Sequence, residues 1–386
     1  MRLGSLDVFR GLTMAGMVIV NNPGDWATVY APLLHAEWHG WTPTDLIFPW
    51  FLFIMGASLA QADRARTTVL AVGRRGATLV ALGLWLSGYP AFDPARWRIP
   101  GVLFRLGLCY VAAALVWRTL QPAAGRAGPA EGARAGAMTG GAGAGAGATV
   151  RHVLVVAATC LLGYWALLAL VAPPGGTAGD LTPDGNLGAW LDRAVFGTHL
   201  WKRTWDPEGL LSTLPAVGTT LFGVAAGAWI RAWRPASAPW LVAAGGGALV
   251  TGLAWGAVLP INKALWTSSY ALFTAGTAAV VLGLLHRVFD DGRAPAALAR
   301  LSAPLVALGR NALLLFVVSG VVAKTLLVWR VGEGAAAVTA QHWIYQRAFA
   351  PWAAPKVASL AYAAANLAGL YLLLAWLDRR RWYWSV

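Results

Sequence analysis

The segment HAEWHGWTPTDLIFPWFLFIMGASLA, His35 to Ala60, sets two histidines, a glutamate and an aspartate directly before a long hydrophobic run. Ionisable groups at a membrane boundary are costly to desolvate, so such a cluster is a functional feature by default. His35 is the sharpest of these residues. A neutral imidazole titrates near neutral pH and can take a proton from an attacking amine or hydroxyl. It can also act as the nucleophile and carry an acyl group itself. Asp45 follows ten residues later, just before the Phe48-Pro49 pair. A short excursion and return of the chain would bring its carboxylate to the imidazole, fixing the tautomer and stabilising the cation. Glu37 and His39 are alternative partners. Two histidines and an acid also suit a metal, but His-x3-His aligns its ligands only on a helix. Gly40 and Pro43 argue against a helix here, so no metal is expected.

Composition dictates what must position these groups. The 386 residues are 58% hydrophobic and 12% charged, with 22 Trp. Soluble domains carry about twice that charge. Apolar runs of about 18–25 residues recur, each long enough to cross a bilayer. The chain is therefore expected to be an all-α polytopic membrane protein, a single domain of about ten transmembrane helices. The spans fall at 8–22, 45–61, 74–90, 101–118, 151–172, 210–231, 239–258, 266–286, 303–328 and 357–377. The net charge of +14 does not point to nucleic acid, because no basic-aromatic surface accompanies it and membrane proteins gather Lys and Arg in cytoplasmic loops. Arginines cluster in alternate loops, whereas 23–44 has no Lys or Arg. That asymmetry predicts cytoplasmic termini and an extracytoplasmic His35. The first span reads as a retained signal-anchor. Cys109 and Cys160 lie inside apolar runs and read as packing residues.

Three connections stand apart. Residues 119–150 are Ala/Gly-rich and read as a flexible cytoplasmic linker. The 173–209 segment is long and rich in Trp and charge, which suits a cap over a substrate site. The 329–356 segment, with Trp329, Trp343 and Trp352, could serve likewise or form part of the interfacial aromatic belt. Arg10, Arg105, Arg310 and Lys324 interrupt apolar runs, so each needs an anion, a wet cavity or the interface. Asp7 is a ready partner for Arg10.

Five ordered motifs carry a resemblance: SLDVFRG from Ser5, VNNPG from Val20, HAEWHGWTPTDLIFPWFLFIMG from His35, DPEGLLSTLPAVGTTLFG from Asp206 and LPINKALWTSSY from Leu259. Together they resemble the heparan-alpha-glucosaminide N-acetyltransferase family, most closely its bacterial relatives. The resemblance implies that acetyl passes from cytosolic acetyl-CoA to the amino group of a glucosamine-type sugar across the membrane. It places His35 as the active histidine and Asp45 as its orienting carboxylate. It also hints at a homodimer and implies a location in a bacterial inner membrane. On this reading the CoA phosphates belong near Arg10, Arg64, Arg74 and Arg75. Glu208, Asn262, Lys263 and Trp266 form the acceptor side, and Asn21 or Lys263 polarises the carbonyl. The family has Asn where this chain has His39, which predicts altered hydrogen bonding to the acceptor. Two other readings compete: O-acyl transfer to an envelope glycan, which keeps the chemistry, and transport of amino sugars, which leaves the His35–Asp45 pair unexplained.

Overall fold

The computed structural model describes residues 3–62, 67–121, 141–233, 237–291, 295–334 and 337–384. Arg64, expected near the CoA phosphates, lies outside them. The described residues form thirteen α-helices and one small hairpin. In chain order the helices are α1 (Gly4–Asn21), α2 (Ile47–Gln61), α3 (Val69–Gly88), α4 (Val102–Leu120), α5 (Gly141–Leu170), α6 (Leu187–Phe196) and α7 (Thr213–Ala232). They continue with α8 (Ser237–Trp255), α9 (Ser268–Phe289), α10 (Ala296–Arg310) and α11 (Ala312–Val328), then α12 (Ala340–Ala348) and α13 (Pro355–Arg379). Strands β1 (Arg330–Val331) and β2 (Val338–Thr339) pair antiparallel between α11 and α12.

Every predicted span coincides with a helix, and the all-α polytopic class holds. Eight helices are long and apolar enough to cross a membrane, with α10 and α11 together making a ninth. Helix α1 is not among these. Asp7 and Arg10 sit in its first turns, and it is a central helix packed on α2, α9, α10, α11 and α13.

Two expectations need correction. The span predicted at 303–328 is broken: α10 and α11 meet at 75°. Asn311 leaves helical geometry at the break, its Oδ1 accepts the Trp384 N–H, and Arg310 reaches Asp378 at 3.3 Å. The break lets a cation that would otherwise sit in a continuous apolar helix find its anion. The linker expected over 119–150 is shorter than predicted, because α4 runs to Leu120 and α5 starts at Gly141. The glycines that alternate with alanine at 141–148 disfavour helix, yet the helix of the apolar run that follows continues back through them, and residues 122–140 lie outside the described residues.

The other charged interrupters also find partners. Lys324 donates to the carbonyls of Leu86, Ser87 and Tyr89 at the C-terminal end of α3. Arg105 is fully buried, bonded to Ser212 and to the Gly209 carbonyl (3.0 Å), and lies 5.0 Å from the Trp266 ring centre.

Helices α2 and α7 approach each other closely. A Cβ placed at Gly223 would stand 2.0 Å from the Phe53 carbonyl oxygen, and one at Gly56 would stand 2.0 Å from that of Thr220. Both neighbours are backbone, so neither can swing aside, and the small residues set the spacing. This contact fixes the segment before α2 relative to the segment before α7. Gly223→Ala is expected to cost about 1–3 kcal/mol by overpacking. Gly247→Ala, where a Cβ meets nothing within 4 Å, should be neutral or stabilising by about 1 kcal/mol through helix propensity. Thermal unfolding of the two variants in detergent checks the contrast.

Candidate active site

The stretch from His35 to α2 is extended backbone and single turns. Thr42 opens a short 3₁₀ turn, Pro43–Leu46, as its N-cap, and Asp45 closes a capping box by accepting the Thr42 N–H at 3.0 Å. Capping uses only one face of the carboxylate. Oδ2 also accepts from the Ala36 N–H (3.1 Å), while Oδ1 faces His35 Nδ1 at 2.6 Å. The Asp45 carbonyl is held in turn by the Tyr270 hydroxyl, also at 2.6 Å. Asp45 is buried, whereas the His35 side chain is 51% exposed. An acceptor-only carboxylate on Nδ1 makes Nδ1 the protonated nitrogen. Nε2 then carries the lone pair, as a general base requires.

Lys263 completes the group. Its Nζ stands 3.4 Å from Asp45 Oδ1, 2.9 Å from His35 Nδ1 and 3.3 Å from Nε2. An atom this near both ring nitrogens lies beside the ring and not in line with the Nε2 lone pair. The turn that presents Lys263 is tied by Asn262, whose Oδ1 accepts the Leu265 N–H and whose carbonyl accepts the Thr267 N–H. Trp266 takes a left-handed φ of 50° in that turn, a conformation that a bulky residue adopts only when its surroundings enforce it. The enforcing contacts are Thr219 Oγ1, which accepts from the indole at 3.2 Å, and the rings of Phe48 and Tyr270. Burial pushes the Lys263 ammonium below its ordinary range, and the charges of Asp45 and Glu208 oppose that shift.

His35 and Lys263 open into a cavity of about 210 Å³. Its polar end holds Asn21, His35, Thr44, Glu208 and Lys263, and its walls are apolar side chains of α1, α2, α3, α4 and α11. A second cavity of about 210 Å³ is lined by Arg10, Ser58, Arg75 and Tyr110. The two share Phe51 and Leu106 as lining. Arg10, Thr13, Met14, Met17 and Asn21 follow the three-to-four spacing of one face of α1, so that face lines the path from one cavity to the other. At about 1.5 Å per residue the path from Arg10 to Asn21 is roughly 16 Å. Arg10 donates to Ser58 Oγ (2.6 Å) and pairs with Asp7 (3.3 Å), and Arg75 donates to the Tyr110 hydroxyl.

The 173–209 segment reaches the polar end through Glu208. Arg98 holds Asp206 by two bonds, Nε to Oδ2 at 2.8 Å and Nη2 to Oδ1 at 2.5 Å, and also donates to Glu208. Its guanidinium lies 5.0 Å from the Trp201 ring centre. Trp38 meets Trp205 edge-on and donates to the Leu181 carbonyl. Burial raises the Asp206 carboxyl above its ordinary range even against Arg98, and it lifts neighbouring Asp192 to about 6.

The structure thus brings together His35, Asp45, Lys263, Glu208 and Asn21, and stacks Arg10 and Arg75 behind them. It does not bring in three other sequence candidates. Arg74 is exposed on the outer side of α3 and lines neither cavity. Trp266 and Asn262 are fully buried and shape the turn without facing the cavity. Both lie in the motif that delivers Lys263, and pattern alone does not separate the residue delivered from the residues that hold it. Arg98, Thr42 and Tyr270 were not foreseen as site residues. The one available signal was Arg98, a charge set between Trp97 and Ile99 just before a span.

Residues 2–125 match the family model described as "Heparan-alpha-glucosaminide N-acetyltransferase, catalytic", a stretch that includes both His35 and Asp45. The chain is 28% identical to the human heparan-alpha-glucosaminide N-acetyltransferase and 27% identical to the mouse protein. Each likeness covers 75% of this chain and 49% of the relative, so the chain spans about half the length of the curated relatives it matches. A polytopic bundle of apolar helices therefore carries here the sequence signature of the heparan-alpha-glucosaminide N-acetyltransferase family.

Proposed function

We propose that this protein is a membrane acetyltransferase that moves acetyl from acetyl-CoA to the amino group of a glucosamine-type sugar. The observation that carries the reading is the pair of stacked cavities, one with a cationic mouth and one ending at His35–Asp45. Arg10 and Arg75 receive the phosphorylated end of the donor. The pantetheine arm runs along α1 past Phe51 and Leu106, and the thioester reaches His35. The acceptor enters beside the 173–209 segment, where Glu208 and Asn21 meet its polar groups.

His35 Nε2 takes the proton of the attacking amine, and Asp45 stabilises the imidazolium that results. Lys263, as a cation, donates to the oxyanion of the tetrahedral intermediate. Collapse expels the CoA thiolate, which recovers the proton from His35. With Nε2 as nucleophile the same geometry would carry the acetyl on His35 before transfer. The arginine mouth lies at the pole where α1 begins and α13 ends, tied there by Arg310–Asp378 and by Asp290 on the Gly4 N–H (2.7 Å). We place that pole in the cytoplasm, in accord with the loop charges.

The test is acetyl transfer by purified protein, using labelled acetyl-CoA and a panel of amino sugars. N-acetylated product is the expected result. Uptake of an amino sugar into proteoliposomes without CoA release would replace the reading with transport. Arg75→Ala should raise the KM for acetyl-CoA about tenfold, with kcat little changed, because it removes a charge-assisted contact made equally in ground and transition states. A kcat loss at unchanged KM would place the donor elsewhere.

A further inference from the structure

The cavity that receives the acyl thioester contains an amine of the protein's own. We propose that Lys263 is a self-acetylation site, its ε-amine taking the acetyl group from bound acetyl-CoA when no acceptor sugar is present. This inference rests on the acetyltransferase reading of the site.

Geometry carries it. The chain has four lysines, and among them Lys263 alone lines the cavity that ends at His35. Its Nζ is within 3.3 Å of both ring nitrogens of His35. An acceptor amine activated by the same base would enter the same end of the cavity, and a rotation of the Lys263 side chain would carry Nζ from beside the ring to the Nε2 lone pair. Lys202 is exposed on a connecting segment, Lys356 is exposed in the first turn of α13, and Lys324 is committed to three backbone carbonyls. Burial also favours the neutral, nucleophilic form of the Lys263 amine.

The step balances without a further reactant. Neutral Nζ attacks the thioester carbonyl, an N–C bond forms, and the C–S bond breaks. His35 takes the amine proton and returns it to the departing CoA thiolate. The products are Nε-acetyllysine and free CoA, with no change of oxidation state. The modified residue can no longer be a cation beside Asp45, and its acetamide fills the space of the acceptor amine. The protein would shut itself off when donor is abundant and acceptor absent, and acceptor would protect it.

The experiment incubates the purified full chain with isotopically labelled acetyl-CoA, with and without glucosamine, and follows each lysine by peptide mass spectrometry. Lys263 should acquire one acetyl about tenfold or more faster than Lys202 or Lys356, consistent with a positioned base. Glucosamine should slow this labelling, and His35→Ala should abolish the preference. Loss of transfer activity should track Lys263 occupancy, and Lys263→Arg should acquire no label at that position. The proposal fails if wild type that is competent to acetylate glucosamine leaves Lys263 unlabelled when glucosamine is withheld, or if Lys263 then labels no faster than the exposed lysines. If wild type neither transfers acetyl nor releases CoA, the acetyltransferase reading itself has failed, a result separable from the first two.

Discussion

Asp45→Asn is expected to lower kcat about as far as His35→Ala, roughly 10³–10⁴-fold, without unfolding the protein. The reason is orientational. Two backbone donors converge on Oδ2, the N–H groups of Ala36 and Thr42. An Asn at this position must place its amide oxygen there, because a –NH₂ group would face those two donors. The amide nitrogen then lands where Oδ1 stood, 2.6 Å from His35 Nδ1. It can only donate, so Nδ1 must become the acceptor and the ring proton moves to Nε2. The lone pair that should accept the amine proton is lost while the capping turn stays intact. His35→Ala removes the base outright. Thiol release from acetyl-CoA in the presence of an amino sugar measures both variants, and thermal unfolding confirms that the Asn variant is folded. An Asp45→Asn enzyme within tenfold of wild type would show that the carboxylate does not set the tautomer, and would remove His35 as general base.

How much of this was legible in the sequence follows from which interactions leave a local trace. Helix positions were readable because membrane thickness forces a length and a composition on each span, and all ten expected spans found a helix. The break at Asn311 was missed because apolar content continues across it, and only the distant partner Asp378 makes Arg310 worth exposing. His35 and Asp45 were readable as a pair because the loop between them is short. Lys263 was named with its whole motif, but its contact with His35 is long-range, and Asn262 and Trp266 could not be told from it by pattern. Arg74 and Arg75 are adjacent in sequence and point to different sides of α3, so only the packing of α3 on α4 selects Arg75. Arg98 went unnoticed because its partners, Asp206 and Glu208, are more than a hundred residues away.

Arg98→Met should be the most damaging change outside the catalytic pair, costing about 3–5 kcal/mol of stability. One guanidinium serves two carboxylates, Asp206 through both oxygens and Glu208 through one. The Asp206 side chain is 0% and that of Glu208 8% exposed. Removing the cation leaves two like charges buried two residues apart, and the penalty is mostly theirs. The sign of the pH dependence follows. Burial already raises the Asp206 carboxyl in the folded state, so the fold binds protons more readily than the unfolded chain. Stability from this group is greatest at low pH and is lost as pH rises through the folded value. Without Arg98 that value climbs further, and the deficit between variant and wild type should narrow as pH falls from about 7 to about 5. Thermal unfolding in detergent across that range measures it, and a deficit that is constant or widens would show that the carboxylates are not its source. Neutralising the partners in an R98M/D206N/E208Q variant should recover much of the loss, because the buried charges disappear with their counter-ion. Arg98→Lys should recover little, since an ammonium cannot hold Asp206 by two parallel bonds while reaching Glu208. Because Glu208 lines the polar end of the cavity, the surviving fraction of Arg98→Met should show a raised KM for the amino sugar and an unchanged KM for acetyl-CoA. Equal changes in both would mean that the 173–209 segment supports the whole bundle and not the acceptor end alone.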